Sequence, residues 1–174
     1  MANNVAWHHA VENLLEIELT PRCQYIRVLV SELARISDHL LCTGAMGLDV
    51  GAFTFFLYAF YQRERIYDIY ETLCGARFTN SYTRTGGLSH DITPLVIEKT
   101  REFLRTFPRT LDDMERLLNR NRIFVDRTQG VGVLSQEDAM SFSATGPIAR
   151  ASGITRDLRK DEPYLCYQDF DFQV

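Results

Sequence analysis

RVLVSELARISDHLLCTGAMGLDVGAFTFFLYAFY, residues 27–61 of this 174-residue chain, decides its fold. Ile26, Leu29, Leu33, Ile36 and Leu40 recur every three or four residues, the period of one helical face, and Glu32, Arg35 and His39 run beside them as a polar row. That row fits a solvated, salt-linked face and a buried polar seam equally well. Gly44, Gly47 and Gly51 follow closely enough to predict a turn or a broken helix around Asp49. An unpaired carboxylate in such apolar sequence must find a donor, rise in pKa or border a wet cavity, because burying a lone charge is costly. Were the helix unbroken, the ten residues from His39 to Asp49 would span about 15 Å along its axis, too far for direct contact. Residues 52–60 are apolar around the whole helical circumference, which predicts a segment packed on all sides.

Working outward, Trp7, Ala10, Val11 and Leu14 predict an apolar face on a first helix, and Thr20–Pro21 a cap with proline in the first turn of the next. Ile66, Ile69, Tyr70 and Leu73 carry helical spacing as far as Gly75, a C-terminal stop. Residues 76–91, with Gly86–Gly87, predict a short strand pair or ordered loop, and the glycine pair lacks the lysine and setting of a phosphate loop. Thr93–Pro94 opens a helix whose apolar phase continues through Pro108 to Leu118, predicting one long kinked helix. Ser135 and Asp138 form a weak capping box for a short helix. Beyond Gly146–Pro147 the chain is predicted irregular, and Phe170, Phe172 and Val174 alternate with polar residues as a strand does. A pattern that stops in mid-strand, and Met1 set directly against the first helix, predict one partial domain, residues 1–174, of something longer.

The composition narrows the function. A net charge of -4 and a pI near 5.6 leave no basic footprint for nucleic acid. Cys23, Cys42, Cys74 and Cys166 stand singly, without CxxC or HxxxH spacing, and predict free, mostly buried thiols and no metal site. The apolar run 52–61 is about half the ~20 residues of a membrane span, and His8, His9, Glu12, Glu16 and Glu18 stand where a signal peptide would be apolar.

Several strings in one order resemble a single family: AVENLL at 10–15, PRCQYIRVLVSELARISDHL at 21–40, LDVGAFTFFLYAF at 48–60, GARF at 75–78, GVGVLS at 130–135 and RASGITRDLRKDEPY at 150–164. They are similar to the D-subunit family of proton-pumping NADH:quinone oxidoreductase, respiratory complex I. The resemblance implies a mainly α fold, a helical bundle of the nickel-iron hydrogenase large-subunit type with short β and loop excursions. It implies a quinone headgroup cavity shared with a smaller subunit that carries the terminal iron-sulfur cluster, and no cofactor bound by this chain alone. Asp49 would line that cavity, His39 would lie near it on a proton route, and Arg77 would approach the cluster. The setting implied is the peripheral arm of a membrane complex, on the cytoplasmic face of the bacterial inner membrane.

Three departures qualify the resemblance. Many relatives have histidine where this chain has Thr79, many have proline at Phe55, and the family's quinone-proximal tyrosine and hairpin histidine would precede Met1. Thr79 cannot take up a proton at neutral pH, so a weaker pH dependence of the neighbouring cluster's potential is expected. Two alternatives stand beside this reading. One is a related membrane-bound hydrogenase or a dehydrogenase complex fed by another donor, against which the absence of paired cysteines counts. The other is a helical interaction module without chemistry, and by itself the chain is expected to be inactive.

Overall fold

Gly44 and Gly47 do not break the helix in which they stand. In the computed structural model, which describes all 174 residues, α2 runs continuously from Pro21 to Asp49. The glycines that suggested a break are contact points for α3 (Phe53–Cys74). A Cβ on Gly44 would lie 3.3 Å from the Ala59 Cβ, and one on Gly47 would lie 2.6 Å from a ring carbon of Phe55. Each glycine lowers helix propensity by about 1 kcal/mol relative to alanine, and close helix packing offsets it by burying Phe55 and Ala59. The chain reverses only at Gly51, which has a φ of +93°. There the Arg127 guanidinium donates to the Val50 carbonyl, supplying a cation at the negative end of α2.

The residues fall into two units, Met1–Arg127 and Thr128–Val174. In the first, α1 (Ala2–Leu15) leads into α2, whose Thr20 hydroxyl accepts from the Cys23 N–H at 3.4 Å with Pro21 at the first helical position. α3 ends at Gly75, a left-handed residue with φ +75° whose N–H returns to the Glu71 carbonyl. A hairpin of β1 (Thr83–Arg84) and β2 (Gly87–Leu88) pairs Thr83 with Leu88 and Arg84 with Gly87. α4 (Pro94–Leu118) passes through Pro108 without interruption, as its apolar phase predicts, and α5 (Arg122–Thr128) follows. The core draws Ile26, Val30, Leu33 and Leu40 from α2, Ile66, Ile69 and Leu73 from α3, and Val96, Phe103 and Met114 from α4.

Two predicted faces are corrected. α1 buries Val5 and Glu12 and leaves Trp7 and Leu14 exposed, because a buried ion pair rather than the apolar stripe selects its inner side. Residues 52–60 are not packed all round. Phe55 and Ala59 are buried, whereas Phe53, Leu57 and Tyr61, at four-residue spacing, are more than half exposed. Two residues correspond to about 200° of helical rotation, so this stripe points away from the face that meets α2.

The second unit contains α6 (Gln136–Ser141), α7 (Gly146–Ala151), α8 (Leu158–Asp161) and a single 3₁₀ turn, Tyr167–Asp169. The Ser135 hydroxyl accepts from the Asp138 N–H at 3.1 Å, as the capping box predicts. The region beyond Gly146, expected to be irregular, instead forms short helices anchored by buried Asp157, which accepts from Arg159 at 2.8 Å and Arg150 at 3.4 Å. The hydrogen bonds from Arg159 outweigh burial and bring the Asp157 carboxyl down to about 2. The terminal strand does not form. Phe172 packs on Tyr167, with the cations of Arg159 and Lys160 over its ring at 4.7 and 5.0 Å, so local cation–π contacts take up the aromatic that would have marked a ladder. All four cysteines are free. Cys23 and Cys166 are buried and Cys74 is half-buried, as the mostly buried set expected, and Cys42 is the exposed exception.

Candidate functional site

Asp49 is the last residue of α2, and it is exposed. It stands neither in a turn nor in a break. Its carboxylate sits at the negative end of a 29-residue helix, where the macrodipole opposes a negative charge. The local backbone therefore does not account for an acid there. The exposed apolar stripe of Phe53, Leu57 and Tyr61 begins four residues beyond it.

His39 lies on the same helix and is also exposed. Its carbonyl accepts from the Thr43 hydroxyl at 2.7 Å. Glu32 and Arg35, two turns and one turn earlier, pair at 3.1 Å on the half-exposed surface, which resolves the polar row as a salt-linked face rather than a buried seam. Because α2 is unbroken, His39 and Asp49 remain about 15 Å apart along the axis and do not form a pair.

The register of the α2–α3 hairpin sets the heights of the other candidates. Gly47 meets Phe55, Gly44 meets Ala59, and Ser37 meets Arg63, so the helices run antiparallel and His39 lies level with the middle of α3. Arg77, in the bend after Gly75, folds back along the C-terminal half of α3. Its guanidinium spans the carboxylates of Glu64, Asp68 at 2.7 Å and Glu71 at 3.1 Å, on one face of the helix. Hydrogen bonds to Asp68, then to Glu71 and Glu64, hold Arg77 above the ordinary arginine value. Each of these pairs is exposed and contributes little to stability. Thr79, two residues on, is exposed. The structure thus places His39 opposite the middle of α3, holds Arg77 along the C-terminal half of that helix and leaves Asp49 at the end of α2.

The most deeply buried charges are not among the residues that the sequence singles out. Arg27 is 0% exposed and Glu12 2%. They pair through two bonds of 2.7 Å. Arg27 also donates to the carbonyls of Arg84 at 2.7 Å and Gly87 at 3.0 Å, and the Gly86 N–H donates to Glu12 at 2.7 Å. Burial pushes the Glu12 carboxyl up, but the bonds from Arg27 and Gly86 outweigh it and hold the group below its ordinary value. This network ties α1, α2 and the hairpin together. Its signal was an arginine inside the apolar run Ile26–Val30 and an acid on the α1 line of Val5.

An open groove between α3 and α4, lined by Arg65, Asp68, Ile69, Lys99 and Phe103 among others, contains none of the four candidates. No group of three His, Cys, Asp or Glu side chains could hold a metal ion, and no helix is long and apolar enough to cross a membrane.

Comparison with known proteins agrees on one lineage. Residues 49–174 match the family described as respiratory-chain NADH dehydrogenase, 49 Kd subunit. The whole chain is 52% identical to the D subunits of NADH-quinone oxidoreductase from Methylacidiphilum infernorum and Opitutus terrae, covering 42% and 41% of those proteins. Over 172 residues, 99% of the chain, it is 50% identical to the D subunit from Flavobacterium psychrophilum, covering 42% of that protein. The chain therefore spans about two fifths of the length of these relatives.

Proposed function

Because this chain belongs to the respiratory-chain NADH dehydrogenase 49 kDa subunit family, we propose that it is the central part of the quinone-binding subunit of NADH:quinone oxidoreductase, with a fold of the nickel-iron hydrogenase large-subunit type. Electrons from NADH arrive through iron-sulfur clusters, the last of them on a neighbouring small subunit, and reduce a quinone in a cavity shared by the two chains. Two electrons and two protons convert quinone to quinol, and proton translocation is coupled to that step. The chain belongs to the peripheral arm of this membrane complex, at the cytoplasmic face of the bacterial inner membrane.

The observation that carries this reading is the α2–α3 corner. An exposed carboxylate stands where the helix dipole disfavours it, beside the uncovered apolar stripe Phe53, Leu57 and Tyr61. A cavity closed by a second subunit would use both features. The stripe would supply apolar wall, and Asp49 would hold and tune a proton-donating group of the full subunit through opposite charge. His39 would feed protons along α2, and Arg77 with Thr79 would face the cluster.

In the assembled complex, Asp49→Asn is expected to lower quinone reductase turnover by about tenfold or more, less than the ~10²–10⁴-fold of a whole acid–base contribution because Asp49 acts through another proton-donating group. Assembly and NADH oxidation by an artificial acceptor should persist. Near-normal quinone turnover would refute the role of Asp49. Thr79→His is expected to steepen the pH dependence of the neighbouring cluster's midpoint potential, because imidazole titrates near neutrality and a hydroxyl does not. An unchanged slope in a redox titration would remove Thr79 from the cluster's surroundings.

A further inference from the structure

Arg63, on α3, lies where the two segments that carry His39 and Arg77, α2 and the loop after Gly75, come together. Its guanidinium carbon is 5.3 Å from the ring centroid of Phe60, 5.2 Å from that of Tyr67 and 5.8 Å from that of Phe78. Its Nε donates to the Ser37 hydroxyl at 3.1 Å. Phe60 and Tyr67 belong to α3, Ser37 stands on α2 two residues before His39, and Phe78 lies between Arg77 and Thr79. Tyr67 and Phe78 also meet edge to face, with centroids 5.9 Å apart.

A guanidinium suits this position for a physical reason. Its flat faces stack on ring π-clouds while its edge keeps a directed N–H for the hydroxyl, and an ammonium has no flat face to stack. The loop after Gly75 has no helix or strand of its own through Thr79. Two anchors hold it: Arg77 on the α3 carboxylates, and Phe78 on Arg63. The first is exposed and weakened by salt. The second joins the exposed ring of Phe78 to a half-buried guanidinium that also bonds buried Ser37, so it depends on ring contact rather than on paired charges.

We propose that Arg63 is a positioning residue for quinone reduction, fixing the loop of Arg77 and Thr79, through Phe78, against the turn of α2 that leads to His39, through Ser37. The inference rests on the quinone-site reading of those residues. In this role Arg63 acts through Phe78 and Ser37, holding two parts of the site in one register. Misplacement of about 1 Å can lower a rate by up to ~100-fold, so a modest loosening is enough to be measured.

The test uses the complex assembled with the full-length subunit and compares Arg63→Lys, Phe78→Leu and the double variant. It measures hydrogen exchange of the amides of residues 76–80, quinone turnover, and NADH oxidation by an artificial acceptor. Each single variant is expected to raise exchange and to lower quinone turnover about tenfold with acceptor-linked oxidation unchanged, and the double should be no worse than either. Unchanged exchange in Arg63→Lys overturns the proposal, as does raised exchange with normal turnover, or an additive double. If Arg63→Lys does not assemble, Phe78→Leu and Ser37→Ala decide, and wild-type exchange in both overturns it. Asp49→Asn measured alongside separates the two ideas: normal turnover there defeats the quinone reading, while loop exchange reports on Arg63 independently.

Discussion

Glu12 and Asp49 are both acids in apolar stretches, and the fold treats them in opposite ways. Where α1, α2 and the hairpin meet, Glu12 is buried and every bond it needs is supplied, by Arg27 and by the Gly86 N–H. At the corner of α2 and α3, Asp49 is exposed and faces the unfavourable pole of its own helix. The first carboxylate is part of the packed interior, and the second is the one proposed to serve the quinone site. An anomalous residue in sequence is thus two different things, and only its partners distinguish them.

The sharpest way to break this contrast is Arg27→Met. It would leave Glu12 buried without its counter-charge and orphan two hairpin carbonyls, so a loss of about 3–5 kcal/mol is expected in urea or thermal unfolding. A loss below about 1 kcal/mol would mean that the pair is not the tie it is taken to be. Acid titration comes next. The folded Glu12 carboxyl lies below its unfolded value, near 4.3, so the unfolded chain binds the proton first as the pH falls. Its stabilisation should be complete above that value and disappear as the pH falls through the lower, folded one. A Glu12→Gln chain should show a flatter stability profile over the same window, and an identical slope would contradict the assignment. The smallest effect belongs to Asp49→Asn, which should leave stability unchanged or raise it by about 0.3–1 kcal/mol as the dipole clash is relieved. Marked destabilisation would make Asp49 a structural residue like Glu12 and erase the contrast.

Local signals were legible and transferred well. Thr20–Pro21, Gly75, the unbroken phase through Pro108 and the Ser135–Asp138 box each depend on a few neighbouring residues, and each stands where it was expected. The misreadings share a cause. Gly44 and Gly47 look like helix breakers until α3 lies against them, Trp7 and Leu14 look like a core face until Glu12 claims the other side, and Phe172 looks like a strand residue until two cations cover it. Of the candidate site, the sequence pointed to Asp49, His39, Arg77 and Thr79, but said nothing of the α3 acids that clamp Arg77 or of Arg63 beneath Phe78.

Adjacent residues were enough to give the starts of α2 and α4, the stop of α3 at Gly75, the ancestry, and a lone carboxylate in apolar sequence, because periodicity, caps and motifs are local. Only the tertiary structure decided which acid is paired and which is left facing outward. That choice depends on residues 15 positions apart, as for Glu12 and Arg27, or about 60 apart, as for Arg27 and the hairpin carbonyls, and no local pattern encodes such separations.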